Sequence, residues 1–262
     1  MTGMYIATSS IEAGQMTAAP AVFVHGLIGS FSESAALDAL HPRPISAPDL
    51  NGYGARGTGP ITVRSQVDSL RGHLRARYGE VPVHLIAHSI GAVYAFTYAA
   101  EHPRMVASIV NVEGNFSLAD AFWSQSIAAM SEVVARTSIT STLNDPRSWL
   151  RDAGVEPSPE NLSRASRALN YQPWQTVWAS AKTVVATIGD SRYEEMLRSV
   201  FDEIPVHLVA GQRSASRWHI PNWARDKATS DIVIPGVGHM MMLEEPRRFG
   251  AEVARLLRYP DR

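Results

Sequence analysis

Apolar residues enter this chain in two alternating formats. Short runs such as "AVFVHG" (21–26), "VPVHLIAHS" (81–89), "MVASIVNVEG" (105–114), "IPVHLVAG" (204–211) and "DIVIPGVGH" (231–239) end on glycine, serine or histidine. Between them lie longer stretches in which apolar positions recur every three or four residues. Val63, Val67, Leu70, Leu74 and Tyr78 follow that spacing up to Gly79, residues 90–103 form an alanine-rich stretch, and Phe249, Val253 and Leu256 close the chain on one helical face. Continuous apolar runs predict strands buried on both faces, and the longer period predicts amphipathic helices. Their alternation predicts an α/β protein with a mostly parallel central sheet flanked by helices.

The rhythm breaks once. From Phe116 to about Phe201 no strand is followed by a helix, and helical patterns alternate with breakers such as "NDPRS" (144–148) and "VEPSPEN" (155–161). The economical division is a core of residues 1–115 and 201–262, interrupted by a helical insertion over 116–200.

Composition removes several classes of function. The 262 residues are enough to bury a large core without staples. With no cysteine, disulfides, a thiol nucleophile and thiolate metal sites are excluded together. With 24 basic and 25 acidic residues and no block of like charge, bulk electrostatics favour neither nucleic acid nor an anionic membrane. The first twenty residues lack the basic start and apolar run of a secretory signal, and no run of about 18 apolar residues is present to span a membrane. The expectation is a soluble cytoplasmic protein.

The chemistry begins at "LIAHSIGAV" (85–93), where Ser89 stands between a strand and a helix. A serine hydroxyl is a weak nucleophile until a base takes its proton. A sharp strand-to-helix turn lifts it out of the sheet, and small residues two before and two after, here Ala87 and Gly91, allow so tight a bend.

With these residues the chain resembles the α/β-hydrolase superfamily. "VFVHG" is similar to the strand and turn of its oxyanion loop, "APDLNGYGARG" to the loop after the next strand, "AHSIG" to the nucleophile elbow, and "PGVGHMMMLEEP" to the loop of the catalytic histidine. The resemblance covers nearly the whole chain and implies the α/β-hydrolase fold, with residues 116–200 as its inserted helical cap. It implies Ser89 as nucleophile, His239 as base, and the Leu27 and Ile90 amides as the oxyanion hole. His25 then orders the oxyanion loop, His88 points away from Ser89, and His84 and His207 are structural.

The acid departs from the commonest pattern. The superfamily usually carries an aspartate just after the strand that follows the cap, and "VAGQRSAS" has Ser214 there. Some members, pancreatic lipases and certain lactonases among them, supply the acid after the preceding core strand, where this chain has Glu113. Asp120, Asp226 and Asp231 are the other candidates. If Glu113 is the acid, Ser214 is expected to be a bystander.

Phe116, Phe122, Trp123, Trp149, Trp174 and Trp178 would give the cap an aromatic lining, and Met240 adds adaptable apolar surface beside the histidine. The expected function is a serine hydrolase of carboxylesterase or lactonase type, cleaving a small hydrophobic ester or lactone with no metal or organic cofactor. The alternatives are hydrolysis of a carbon–carbon bond in a diketone, or a ligand-binding member of the fold with little turnover. The serine speaks against haloalkane dehalogenase and epoxide hydrolase chemistry, which the resemblance associates with an aspartate at that position.

Overall fold

The computed structural model describes residues 18–30, 33–55 and 59–258. Among the described residues six strands, β1 (Ala21–Val24), β2 (Ile45–Ser46), β3 (Val83–His88), β4 (Val106–Val112), β5 (Val206–Gly211) and β6 (Ser230–Ile234), form one sheet. Its order is β2-β1-β3-β4-β5-β6, and every neighbouring pair is parallel. All residues of β1, β3 and β5 are buried, as their unbroken apolar runs predict.

Side chains of successive strand residues enter two cores in turn. Val22, Leu85, Ile109 and Leu208 belong to one, and Phe23, Ile86, Val110 and Val209 to the other. This two-residue period makes the sheet the partition between two helical layers. Two buried histidines on the strands are paired with serines of the neighbouring strand: His84 Nδ1 meets Ser108 Oγ at 2.7 Å and His207 Nδ1 meets Ser230 Oγ at 2.9 Å.

Among the described residues three helices lie between the first four strands: α1 (Ser34–Leu37), α2 (Val63–Tyr78) and α3 (Gly91–Glu101). Thr62 and Ser65 form a reciprocal capping box that fixes where α2 begins. Six more lie between β4 and β5: α4 (Phe122–Ala128), α5 (Glu132–Leu143), α6 (Pro146–Asp152), α7 (Pro159–Leu169), α8 (Trp174–Ile188) and α9 (Ser191–Glu203). The two breakers there are helix starts. Asp145 and Ser158 accept hydrogen bonds from the Ser148 and Asn161 N–H groups, and each is followed by a proline at the first helical position. The last of the six packs on α3, with the Phe96 and Phe201 rings stacked at 5.8 Å.

After β5 come α10 (Asn222–Lys227), α11 (Met241–Glu244) and α12 (Pro246–Leu256), the last carrying Phe249 and Val253 into the second core. Among the described residues no helix is long and apolar enough to cross a membrane.

Candidate active site

Parallel strands deliver their following loops to one edge of the sheet. The loops after β3, β4, β5 and β6 bring Ser89, Glu113, Ser214 and His239 to a single cavity.

Ser89 follows β3 directly, with φ at 52°. A left-handed backbone is unfavourable for a residue with a Cβ and persists only where its surroundings impose it. Here the Ser89 N–H donates to Val112 O at 3.1 Å and its carbonyl accepts from the Ala92 N–H at 3.0 Å, so the bend is tied to β4 and to α3. Gly91 is required by the same bend, because a Cβ there would lie 2.4 Å from the His25 carbonyl oxygen. The end of β1 with His25 and the start of α3 are therefore in direct backbone contact. Leu27 and Ile90 flank this contact, and among the described residues no hydrogen bond engages either backbone N–H.

Glu113 sits on a second bend of the same kind, with φ at 44°. Among the described residues Ser89 and Glu113 are the two with a side chain and a left-handed backbone. The Glu113 N–H donates to Val209 O at 3.1 Å, and the Gly114 N–H donates to Asn111 Oδ1 at 2.8 Å, closing a turn at the end of β4. The carboxylate is buried, with 4% of the side chain exposed, and is fully engaged. His239 Nδ1 donates to Oε2 at 2.7 Å. Oε1 accepts from the Gly211 N–H at 2.7 Å and from Ser214 Oγ at 2.5 Å. Burial alone would raise this carboxyl. The hydrogen bond and charge of His239, with the Ser214 and Gly211 donors, outweigh it and hold the group below the usual glutamate value. With the Nδ1 proton committed to Glu113, Nε2 is left as the basic nitrogen of His239.

Ser214, expected to be a bystander, is hydrogen-bonded to Glu113. It stands where the commoner pattern puts an acid, and its hydroxyl donates to the acid candidate on the neighbouring strand.

The remaining candidates fall elsewhere. Asp120 lines the cavity, but its carboxylate accepts from the Phe116 and Ser117 N–H groups at 3.0 and 3.2 Å, and burial raises it. Asp231 pairs with Arg225 at 3.3 Å, and Asp226 and His219 do not line the cavity. His88 is buried, and its Nε2 donates to the His239 carbonyl at 3.1 Å, with the rings 4.5 Å apart. Burial, then the nearby charge of His239, pushes its pKa well down. His25 Nδ1 donates to Gly26 O at 2.9 Å, and burial brings that ring down to about 4. Both rings are neutral supports of the loops on either side of Ser89.

The cavity holds about 300 Å³. Trp123, Trp149 and Met240 line it, together with Phe122. Phe116, Trp174 and Trp178 do not. Phe116 is buried against Phe201, Trp218 and Trp223. Trp174 and Trp178, one helical turn apart on α8, pack on each other at 6.2 Å, and the Lys182 ammonium lies over the Trp178 ring. Among the described residues no cluster of three histidine or acidic side chains could hold a metal ion.

The sequence profile of the alpha/beta hydrolase family matches residues 21–252. The chain belongs to the alpha/beta hydrolase family. No curated protein sequence matches it. Among solved structures it is similar to a thermophilic esterase from Thermogutta terrifontis, at 22% identity, TM-score 0.71, and coverage of 92% of this chain and 90% of that one. It is also similar to a haloalkane dehalogenase variant from Bradyrhizobium elkanii, at 19% identity and TM-score 0.69, covering 93% and 90%. A structure from a study of carboxylesterases of Nitrososphaera gargenis matches at 18% identity and TM-score 0.68, covering 93% and 91%. At such identities these likenesses speak for the fold alone.

In this alpha/beta hydrolase, sequence reasoning missed several polar and aromatic cavity residues. Asn115, Arg217 and Trp218 all line it. Trp218 Nε1 donates to Gly114 O at 2.9 Å, which fastens the segment after β5 to the Glu113 turn. The available signal was position: each lies within four residues of Glu113 or Ser214.

Proposed function

We propose that this alpha/beta hydrolase is a serine hydrolase that cleaves a small hydrophobic carboxylic ester or lactone through an acyl-enzyme. The observation that carries the reading is the 2.7 Å bond from His239 Nδ1 to the buried Glu113 carboxylate, in the cavity that also holds Ser89 on its left-handed bend.

His239 Nε2 takes the Ser89 proton as Oγ attacks the carbonyl carbon. The Leu27 and Ile90 N–H groups receive the negative charge that develops on the carbonyl oxygen. Glu113 holds the imidazole in the tautomer that leaves Nε2 basic, and stabilises the imidazolium once it forms. The imidazolium returns its proton to the departing alkoxide. Water, deprotonated by the same nitrogen, then attacks the acyl-enzyme and frees Ser89. Residues 116–200 act as a cap that carries Phe122, Trp123 and Trp149 to the cavity, and these aromatic side chains favour an acyl or alcohol group with an apolar, ring-containing body. The fully engaged Glu113 carboxylate favours turnover over a purely ligand-binding role.

A fluorophosphonate probe tests the reading. Wild-type protein is expected to be labelled on Ser89, and 4-nitrophenyl butyrate to be hydrolysed. Absence of label on Ser89, with the protein folded, would overturn it.

A further inference from the structure

Residues 211–214, the end of β5 and the turn that leaves it, carry no acid, yet each of them is tied either to Glu113 or to the loop that precedes His239. The Gly211 N–H and the Ser214 hydroxyl both donate to Glu113 Oε1, at 2.7 and 2.5 Å. Gln212 Oε1 accepts from the Gly236 N–H at 2.8 Å. The Arg213 N–H donates to Val237 O at 3.0 Å, and its guanidinium donates to Gly236 O and to both Glu244 oxygens, each of the latter at 2.8 Å. Glu244 in turn accepts from the Gly238 N–H at 3.2 Å. Thus Gly236, Val237 and Gly238, the three residues before His239, are all held from this turn or through Glu244. The backbones also touch, since a Cβ on Gly211 would lie 2.5 Å from Gly238 O.

We propose that residues 211–214 position both members of the charge pair, Ser214 and Gly211 fixing the Glu113 carboxylate while Gln212 and Arg213, with Glu244, fix the loop that presents His239. This rests on the serine-hydrolase reading and goes beyond it. A glutamate has one more rotatable bond than an aspartate, and its freedom is costly to freeze. Anchoring Oε1 with two donors leaves Oε2 as the oxygen presented to His239. The histidine stands on a loop with two glycines and needs its own anchor, which the planar fork of Arg213 supplies by bridging a backbone carbonyl and a carboxylate. The place vacated by an acid thus works as a clamp, and its residues are positioning residues that act through Glu113 and His239.

The test is steady-state kinetics on 4-nitrophenyl butyrate, with melting temperatures, for full-length Ser214→Ala, Ser214→Thr, Arg213→Gln, Arg213→Lys and Glu113→Gln variants. Ser214→Ala and Arg213→Gln are each expected to lower kcat about tenfold, leave KM within twofold, and keep the melting temperature within a few degrees. Ser214→Thr, which keeps the hydroxyl, is expected to recover at least a third of the wild-type kcat, whereas Arg213→Lys, which has no fork to bridge Gly236 O and Glu244, is expected to stay within twofold of Arg213→Gln. Should both Ser214→Ala and Arg213→Gln retain kcat within twofold while Glu113→Gln loses it, the positioning proposal fails and the hydrolase reading stands. A loss of kcat in Ser214→Ala that Ser214→Thr does not recover also overturns it, as does full recovery by Arg213→Lys. If wild type is neither labelled nor active, the hydrolase reading fails first; if wild type is active and Glu113→Gln keeps full rate, the acid lies elsewhere and the positioning proposal falls while the hydrolase reading stands.

Discussion

Glu113 faces the two requirements of a buried acid: it must stay ionised away from water, and it must present one particular oxygen. Three donors meet the first, and their division between Oε1 and Oε2 meets the second. Glu113→Gln keeps the shape and removes the charge, so it is expected to lower kcat by roughly 10³–10⁴-fold with KM little changed, read from steady-state kinetics on an aryl ester. A loss below tenfold would place the acid elsewhere. The position of Glu113 was legible in the sequence because two facts coincided: a charged residue at the end of an apolar strand, and a serine where an acid is usual. The bond from Ser214 was not legible. Which side chains meet across two parallel strands depends on the register of β4 against β5, where Ile109 pairs with Val206 and Val112 with Val209, and no periodicity in either strand states it.

Between β4 and β5 the sequence revealed helices but not which way they face. Trp174 and Trp178 have helical spacing, and the structure turns that face of α8 away from the cavity and leaves the pair packed on each other. Trp123, on the short α4, does line the cavity. Trp123→Ala is accordingly expected to raise KM for aryl esters about five- to tenfold, which corresponds to roughly 1–1.4 kcal/mol of lost apolar contact. Trp178→Ala is expected to leave KM unchanged. Equal effects in the two variants, measured on the same series of 4-nitrophenyl esters, would refute this assignment of faces. The core elements were easier to read because a strand buried on both faces needs no choice of face: β1, β3 and β5 are buried at every position and, apart from their histidines, show it by carrying only apolar residues and glycine.

The whole molecule carries a pH dependence that does not come from its active centre alone. His25 and His84 are both brought down from 6.5 to about 4, chiefly by burial, and His88 is pushed well down. In the unfolded chain these rings bind protons near the ordinary value, so between about pH 6.5 and 4 the unfolded state holds more protons than the folded one. Stability then falls as pH falls through that window, by about 1.4 kcal/mol per pH unit for each ring. Glu113 adds a loss at lower pH still, because its folded value lies below 4.5 and its ionised form favours the folded state. Calorimetric unfolding at pH 5, in buffers of different ionisation enthalpy, is expected to show uptake of two to three protons by the chain; uptake near zero would mean that these histidines are charged in the fold. A different tension runs through the two bends at Ser89 and Glu113, whose backbone glycine would adopt with less strain. Selection for stability alone would favour erasing the serine bend. With Ser89 as the proposed nucleophile, a descendant relieved of catalysis would be free to drift to glycine there and become easier to fold, so the proposed chemistry would persist only while it is used.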